Sequence, residues 1–239
     1  MVIENKLSDM KNNDGLRCER KFLVSDLSVD ELEDVILHHP AMFTPIFSER
    51  YVNNIYFDSL EFMSYRQSIE GLDQRKKIRI RWYGDLSGPI KNPVLETKKK
   101  WGTVGKKEIY PLSNFEFEDF FSEAATLDLI KKVSLTENLK KDLYFLEAKL
   151  INRYNRKYFL SANGCYRITL DFNIFFYPVR PFPPAFFKNT ICEPYSVLEL
   201  KYNHVHDNEA SKITSHLPFR LTKSSKYVSG VYKLYFFSS

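Results

Sequence analysis

The sequence predicts an α+β domain in which strands outnumber helices and several strands carry charge along one face. Three observations point there. Runs of alternating polar and apolar residues recur through the chain, helix start signals are few, and the 8 Gly among 239 residues form no G-x-G-x-x-G or G-x-x-x-x-G-K arrangement. Without such loops a doubly wound nucleotide fold has no support, and any phosphate must be held by side chains. Hydrophobic residues at 44% and aromatics at 15%, with 20 Phe and 15 Tyr, supply enough apolar surface for a core.

The elements follow in chain order. Residues 1–15, MVIENKLSDMKNNDG, are polar without an apolar leader segment and read as a flexible arm; a single domain is expected over 16–239. Arg17–Val24 is the first strand. Ser28 with Glu31 forms a capping box that opens the helix SVDELEDVILHH, stopped by Pro40, with His38 and His39 at its C-terminal end. Tyr51–Phe57, Arg75–Tyr83, Pro93–Lys100 and Val104–Pro111 read as strands. Ser113 with Glu116 repeats the capping spacing and predicts a helix through NFEFEDFFSEAATLDLIKK. Leu143–Ile151, Tyr154–Ser161, Tyr166–Phe172 and Ser196–Tyr202 complete about nine strands. PVRPFPPAFF holds four of the 11 prolines and reads as a surface loop, and DNEASKITSHL is a helix stopped by Pro218.

No stretch approaches the roughly 18 consecutive apolar residues of a membrane span, so direct membrane insertion is not expected. Cys18, Cys165 and Cys192 are odd in number and far apart, which suits a reducing cytoplasm rather than a disulfide framework or zinc ribbon. Lys plus Arg exceed Asp plus Glu by 35 − 30 = 5, favouring anionic ligands but falling short of a nucleic-acid-coating domain.

The placement of these charges is more informative than their sum. Residues i, i+2 and i+4 of a strand share a face. In RKKIRIRWY, Arg75, Lys77, Arg79 and Arg81 face away from Ile78, Ile80 and Trp82. Glu96, Lys98 and Lys100 share a face, as do Arg17, Glu19 and Lys21; Arg167, Thr169 and Asp171; and Glu199 and Lys201. Five strands thus repeat cations interleaved with single carboxylates. A solvated outer face explains any one of them. If the strands close into a barrel, the same faces line a bore in which only a polyanion could hold the cations together. Aromatics fall mostly on the opposite faces, where they pack a core, so base stacking on nucleic acid is not expected. His204-x-His206 with Asp207 reads as a surface strand end, and Asp58 either caps the following helix or touches metal.

Eight segments carry a resemblance. Arg17-x-Glu19-x-Lys21, YFDS at 56–59, KIRIRWY at 77–83, LETK at 95–98, Tyr154-x-Arg156, YRITLD at 166–171, LELKY at 198–202 and KSSKY at 223–227 resemble, in order, the polyphosphate polymerase (VTC, vacuolar transporter chaperone) domain. That domain belongs to the triphosphate tunnel metalloenzyme superfamily. The resemblance implies a closed antiparallel eight-stranded barrel with a basic bore and flanking helices. The related CYTH group opens with E-x-E-x-K; here Arg17 stands for the first Glu, which favours the VTC branch and removes a carboxylate that hydrolases would use for metal.

The resemblance also implies roles. Lys226, Arg79, Arg81 and Lys98 would be catalytic; Lys21, Lys107, Arg156, Arg167, Lys201 and Lys223 would bind substrate; Glu199, with Glu19, would hold Mn²⁺ or Mg²⁺. Strand alternation alone already singles out Lys21, Arg79, Arg81, Lys98, Arg167 and Glu199. The family's K-E-R segment appears here as Lys107-Glu108-Ile109, so its Arg is missing and Lys106 rivals Lys107 for the bore. The implied substrates are ATP or another triphosphate, with inorganic polyphosphate or pyrophosphate as acceptor. Family members add a phosphate-sensing domain and a membrane segment, so a membrane partner of unidentified nature is also implied. A triphosphatase of the same fold, with Glu19 or Asp171 orienting water, and a non-catalytic polyphosphate binder are the alternatives.

Overall fold

The structure is a computed structural model that describes residues 17–101, 104–117, 129–130, 133–179 and 190–237. The expected arm at 1–15, most of the helix expected after Ser113 and most of the proline-rich segment lie outside these residues. Strands are β1 (Arg17–Val24), β2 (Thr44–Asp58), β3 (Gln74–Tyr83), β4 (Gly88–Ile90), β5 (Val94–Trp101), β6 (Val104–Pro111), β7 (Phe115–Phe117), β8 (Glu147–Leu160), β9 (Tyr166–Pro178), β10 (Ile191–Cys192) and β11 (Ser196–Asn203). Helices are α1 (Val29–Leu37), α2 (Met63–Glu70), α3 (Glu137–Tyr144), α4 (Asp207–Thr214) and α5 (Lys226–Val231), the last continuing into a π-turn over Tyr232–Phe236.

The main sheet hydrogen-bonds in the order β1-β11-β9-β8-β2-β3-β5-β6, with β10 added on β9; β4 and β7 form a separate pair. This corrects the expected barrel in two ways. The sheet has nine strands, not eight, and β1 and β6 end the order without pairing with each other among the described residues. The pairs β1–β11, β11–β9, β2–β3, β3–β5 and β5–β6 are antiparallel.

The chain divides into two compact units, one drawing on Met1–Glu49, Lys157–Asp171 and Tyr195–Lys223, the other on Arg50–Arg156, Phe172–Pro194 and Ser224–Ser239. In the first unit, β1, β11 and the start of β9 alternate as expected, burying Phe22, Leu198, Leu200, Ile168 and Leu170. α1 opens on the anticipated capping box, Ser28 and Glu31 satisfying each other's backbone donors, and buries Leu32 and Ile36. Arg20, on the apolar face of β1, bonds Tyr202 at 2.8 Å, Thr214 at 3.2 Å and Asp207 at 3.3 Å, tying α4 to the sheet. Burial and the bond to Asp207 push the Tyr202 hydroxyl up to about 12, so it stays a donor. His204–His206 form a 3₁₀ turn and His38 caps α1.

In the second unit the core gathers Ile55 and Phe57 of β2, Ile78, Ile80 and Trp82 of β3 and Leu95 of β5 with Leu139 and Leu143 of α3. Because period-2 alternation buries these residues on one face, it directs Lys77, Arg79, Arg81 and Glu96 to the other. Two expected elements are corrected here. Phe115–Phe117 is a strand paired with β4, not a helix start, because Phe115 and Phe117 pack on Trp82 at 6.2 and 5.6 Å between ring centres. The strand expected over Leu143–Ile151 starts at Glu147; Thr136 caps α3 before it, and one long β8 replaces two expected strands.

Candidate functional site

The residues expected to bind phosphate fall into two clusters, one in each unit. In the second unit, antiparallel register sets Tyr56, Arg79 and Glu96 side by side across β2, β3 and β5, and Lys77, Lys98 and Lys107 side by side across β3, β5 and β6. Asn54 lies beside Arg81. Three cations meet on one carboxylate. Arg79 places Nε 2.7 Å and Nη2 2.6 Å from Oε2 of Glu96, Arg81 Nη1 lies 3.8 Å from the same oxygen, and Lys107 Nζ pairs with Oε1. The Glu96 side chain is only 5% exposed. Burial pushes its carboxyl up, but Arg79, Arg81 and Lys107 outweigh burial and hold it well below the usual carboxylate range. Burial, with Arg79 and Arg81 added, pushes the Lys107 ammonium down to about 8 despite Glu96. Lys106 points to the other face, beside Glu108 at 3.4 Å, so Lys107 is the one of the two that reaches Glu96.

Tyrosines frame the cations. Arg79 Nη1 donates to the Tyr56 hydroxyl at 2.8 Å; against burial, Arg79 and Arg81 hold that hydroxyl below its ordinary value. Arg81 donates through Nε to Asn54 at 2.8 Å and through Nη2 to the Tyr154 hydroxyl at 3.3 Å. The Asn54 amide donates onward to Asn152 at 2.7 Å, which fixes its oxygen toward the guanidinium. The Tyr154 ring also takes Lys226 Nζ at 4.8 Å and the Arg156 guanidinium at 5.1 Å. Thus Arg79, Arg81, Lys107, Arg156 and Lys226 are linked through Glu96 and Tyr154, while Lys98 lies exposed between Lys77 and Lys107 in register.

In the first unit, Lys21 stands beside Glu199 and Glu19 beside Lys201 across β1 and β11, and Lys201 stands beside Arg167 of β9. Lys21 Nζ lies 3.0 Å from Glu199 and 3.8 Å from Glu19, and Lys201 Nζ lies 2.6 Å from Glu199. Burial pushes the Lys21 ammonium down, but Glu199 and Glu19 outweigh it and hold the pKa above the usual lysine range. Lys223 is exposed and follows Thr222, whose N–H donates to the Lys21 carbonyl at 2.8 Å. No group of three or more His, Cys, Asp or Glu suited to a metal gathers among the described residues. The donor set nonetheless fits a hard divalent ion that takes one or two carboxylates and completes its shell with phosphate oxygens and water. Asp58 accepts from the N–H groups of Ser64 and Tyr65 at 2.8 and 3.0 Å, the capping alternative of the two read from sequence.

Strand alternation singles out Arg79, Arg81 and Lys98 of this cluster and the family resemblance adds Lys107, Arg156 and Lys226, but neither gives a role to Glu96, Tyr56, Asn54 or Tyr154. Glu96 and Tyr154 each lie in a family-like segment on the cationic face, which is the signal that was available. The pairing of Tyr56 with Arg79 depends on the β2–β3 register, which no local pattern encodes.

The sequence model of the VTC domain family matches residues 16–235. The "Vacuolar transporter chaperone complex subunit 4" of Schizosaccharomyces pombe is 24% identical to this chain over 273 residues, covering 92% of it and 38% of the relative. The chain therefore spans well under half of that relative's length. Among solved structures, a proposed adenylate cyclase of Bacillus halodurans is 14% identical, covering 92% of this chain and 98% of its own with a TM-score of 0.51. One of Vibrio parahaemolyticus is 13% identical, covering 91% and 99%, with a TM-score of 0.50. At these identities the likeness concerns the fold. No helix among the described residues is long and apolar enough to cross a membrane.

Proposed function

The chain belongs to the VTC domain family, and from that premise we propose that it is a metal-dependent polyphosphate polymerase. It transfers the γ-phosphate of ATP to orthophosphate, pyrophosphate or the end of a growing polyphosphate. An acceptor oxygen attacks the γ-phosphorus, the bond to the β–γ bridging oxygen breaks, and ADP leaves with that electron pair. The acceptor is already an anion, so no side chain has to remove a proton. Catalysis then rests on positioning and on cations that meet charge spreading over the transferred group.

The observation that carries this reading is the convergence of Arg79, Arg81 and Lys107 on one buried carboxylate, with Lys226 beside Tyr154. One carboxylate leaves these cations in excess, and a bound polyanion would balance them. Arg79 and Arg81 would fork onto phosphate oxygens, and Lys98, Lys107 and Arg156 would add charge. Lys226 would pin the terminal phosphate. Lys21, Arg167, Lys201 and Lys223 are assigned to further phosphate oxygens. Glu199 and Glu19 would hold Mn²⁺ or Mg²⁺, which when bound neutralises charge on adjacent phosphate oxygens. The three cysteines are free, as in a reducing compartment, and we assign the domain to the cytoplasm.

The test is to incubate the protein with ATP and either ion, with and without pyrophosphate, and to resolve products by gel and phosphorus NMR. Polymer and ADP are expected from the wild type, with losses of at least about 100-fold in Lys226→Ala and Glu199→Gln. Orthophosphate without polymer would instead assign a triphosphatase.

A further inference from the structure

Lys226 and Tyr227 are the first two residues of α5, a helix of six residues. Tyr227 is 1% exposed, and its hydroxyl donates to Oδ2 of Asp58, which is fully buried. Asp58 is already fixed before Tyr227 reaches it. Its Oδ1 accepts from the N–H groups of Ser59 and Ser64, both at 2.8 Å, and Oδ2 accepts from Tyr65 at 3.0 Å. The end of β2 and the first turn of α2 thus hold the carboxylate in place. The Tyr227 ring packs 5.1 Å from Tyr56, the residue that receives Arg79. On the other side of Lys226, Ser225 accepts from Lys77 Nζ at 2.9 Å. Both neighbours of Lys226 are therefore tied down, while its own ammonium lies over Tyr154. Burial and Asp58 both push the Tyr227 hydroxyl above its usual value, so it keeps its proton and remains a donor.

Resting on the reading of Lys226 as a phosphate-binding cation, we propose that Asp58 and Tyr227 are positioning residues whose buried bond fixes α5 so that Lys226 and Arg79 meet the same phosphate group. Neither side chain touches substrate. A short helix whose first turn is fixed by a buried bond has less freedom to lose when its lysine engages an anion, so binding tightens without a new contact.

A double-mutant cycle tests this on the full chain, with inorganic tripolyphosphate as the probe, read by calorimetry and with melting temperatures recorded in parallel. Tyr227→Phe removes one hydroxyl and leaves the three backbone donors on Asp58. Tyr227→Phe and Lys226→Ala should each weaken binding about tenfold, and the double variant should be no weaker than Lys226→Ala alone. Losses that multiply, or a Tyr227→Phe variant that melts lower yet binds as wild type, would overturn the positioning role. Asp58→Asn provides a second variant and should likewise have no effect on binding in the Lys226→Ala background. If neither variant folds, the pair is a stability element and the assignment falls. A Lys226→Ala variant that binds and polymerises as wild type would remove the reading of Lys226 itself. A Lys226→Ala loss that Tyr227→Phe does not share would remove only the positioning role.

Discussion

Glu96 and Lys107 both ionise away from their usual ranges, and each makes a prediction. Glu96 offsets three cations from a nearly inaccessible position. Removing one partner of a buried ion pair leaves the other charges uncompensated, so Glu96→Gln should lose about 3 kcal/mol in denaturant unfolding. Tripolyphosphate, which restores negative charge, should then raise the melting temperature of the variant more than that of the wild type. An unchanged stability would refute the counterion role. Because the folded carboxyl titrates below its ordinary 4.5, its contribution is complete above that pH and fades as the pH falls below it. Lys107 behaves in the opposite sense. Its charge is lost as the pH rises through about 8. Affinity for tripolyphosphate should therefore weaken between about pH 7 and 9, and Lys107→Arg, which stays charged, should flatten the profile measured by calorimetry. An equally steep profile in Lys107→Arg would contradict the assignment. Stability moves the other way: the unfolded chain keeps this proton up to the ordinary 10.5, so the group adds stability as pH rises from about 8.

At the scale of elements, α5 is a short helix in a tight place. A Cβ at Gly230 would lie 2.7 Å from Leu150 and 2.8 Å from Phe176, both fully buried and unable to yield. Alanine is the better helix former, yet overpacking should win, and Gly230→Ala should destabilise by about 1–3 kcal/mol in chemical denaturation. A gain in stability would show that α5 has room to shift. Elements whose pattern is local were legible in the sequence. β1 and β6 have the bounds that alternation predicts, and α1 opens on its capping box. The failures came where packing overrode a local signal. Ser113 and Glu116 have capping spacing, but Phe115 and Phe117 gain more by pairing with β4 over Trp82. Leu139 and Leu143 stand four apart on one buried helix face, a signal hidden by the apolar run that continues into β8. The cationic faces were legible because period 2 fixes them. Their pairing with Tyr56, and the bond between Asp58 and Tyr227, were not, since each joins residues brought together only by tertiary structure.

At the scale of the whole molecule, the described residues expected to bind phosphate form one cationic cluster in each unit, and each cluster has its own carboxylates. In the second unit Glu96 is locked among arginines and lysine, which suits it to hold the cations rather than a metal. In the first, Glu199 and Glu19 share Lys21, and Glu199 also takes Lys201. This division predicts separable losses. Glu199→Gln should abolish metal-dependent turnover while leaving metal-free tripolyphosphate binding within about threefold, whereas Arg79→Gln should lose binding by about 100-fold. Equal effects of both substitutions on metal-free binding would contradict the separate assignments. The most direct test of the central claim is product analysis of the wild-type chain supplied with ATP, Mn²⁺ and pyrophosphate. The account predicts inorganic polyphosphate of growing length with equimolar release of ADP for each phosphate added. Orthophosphate as the sole product, with no polymer at any time point, would contradict it.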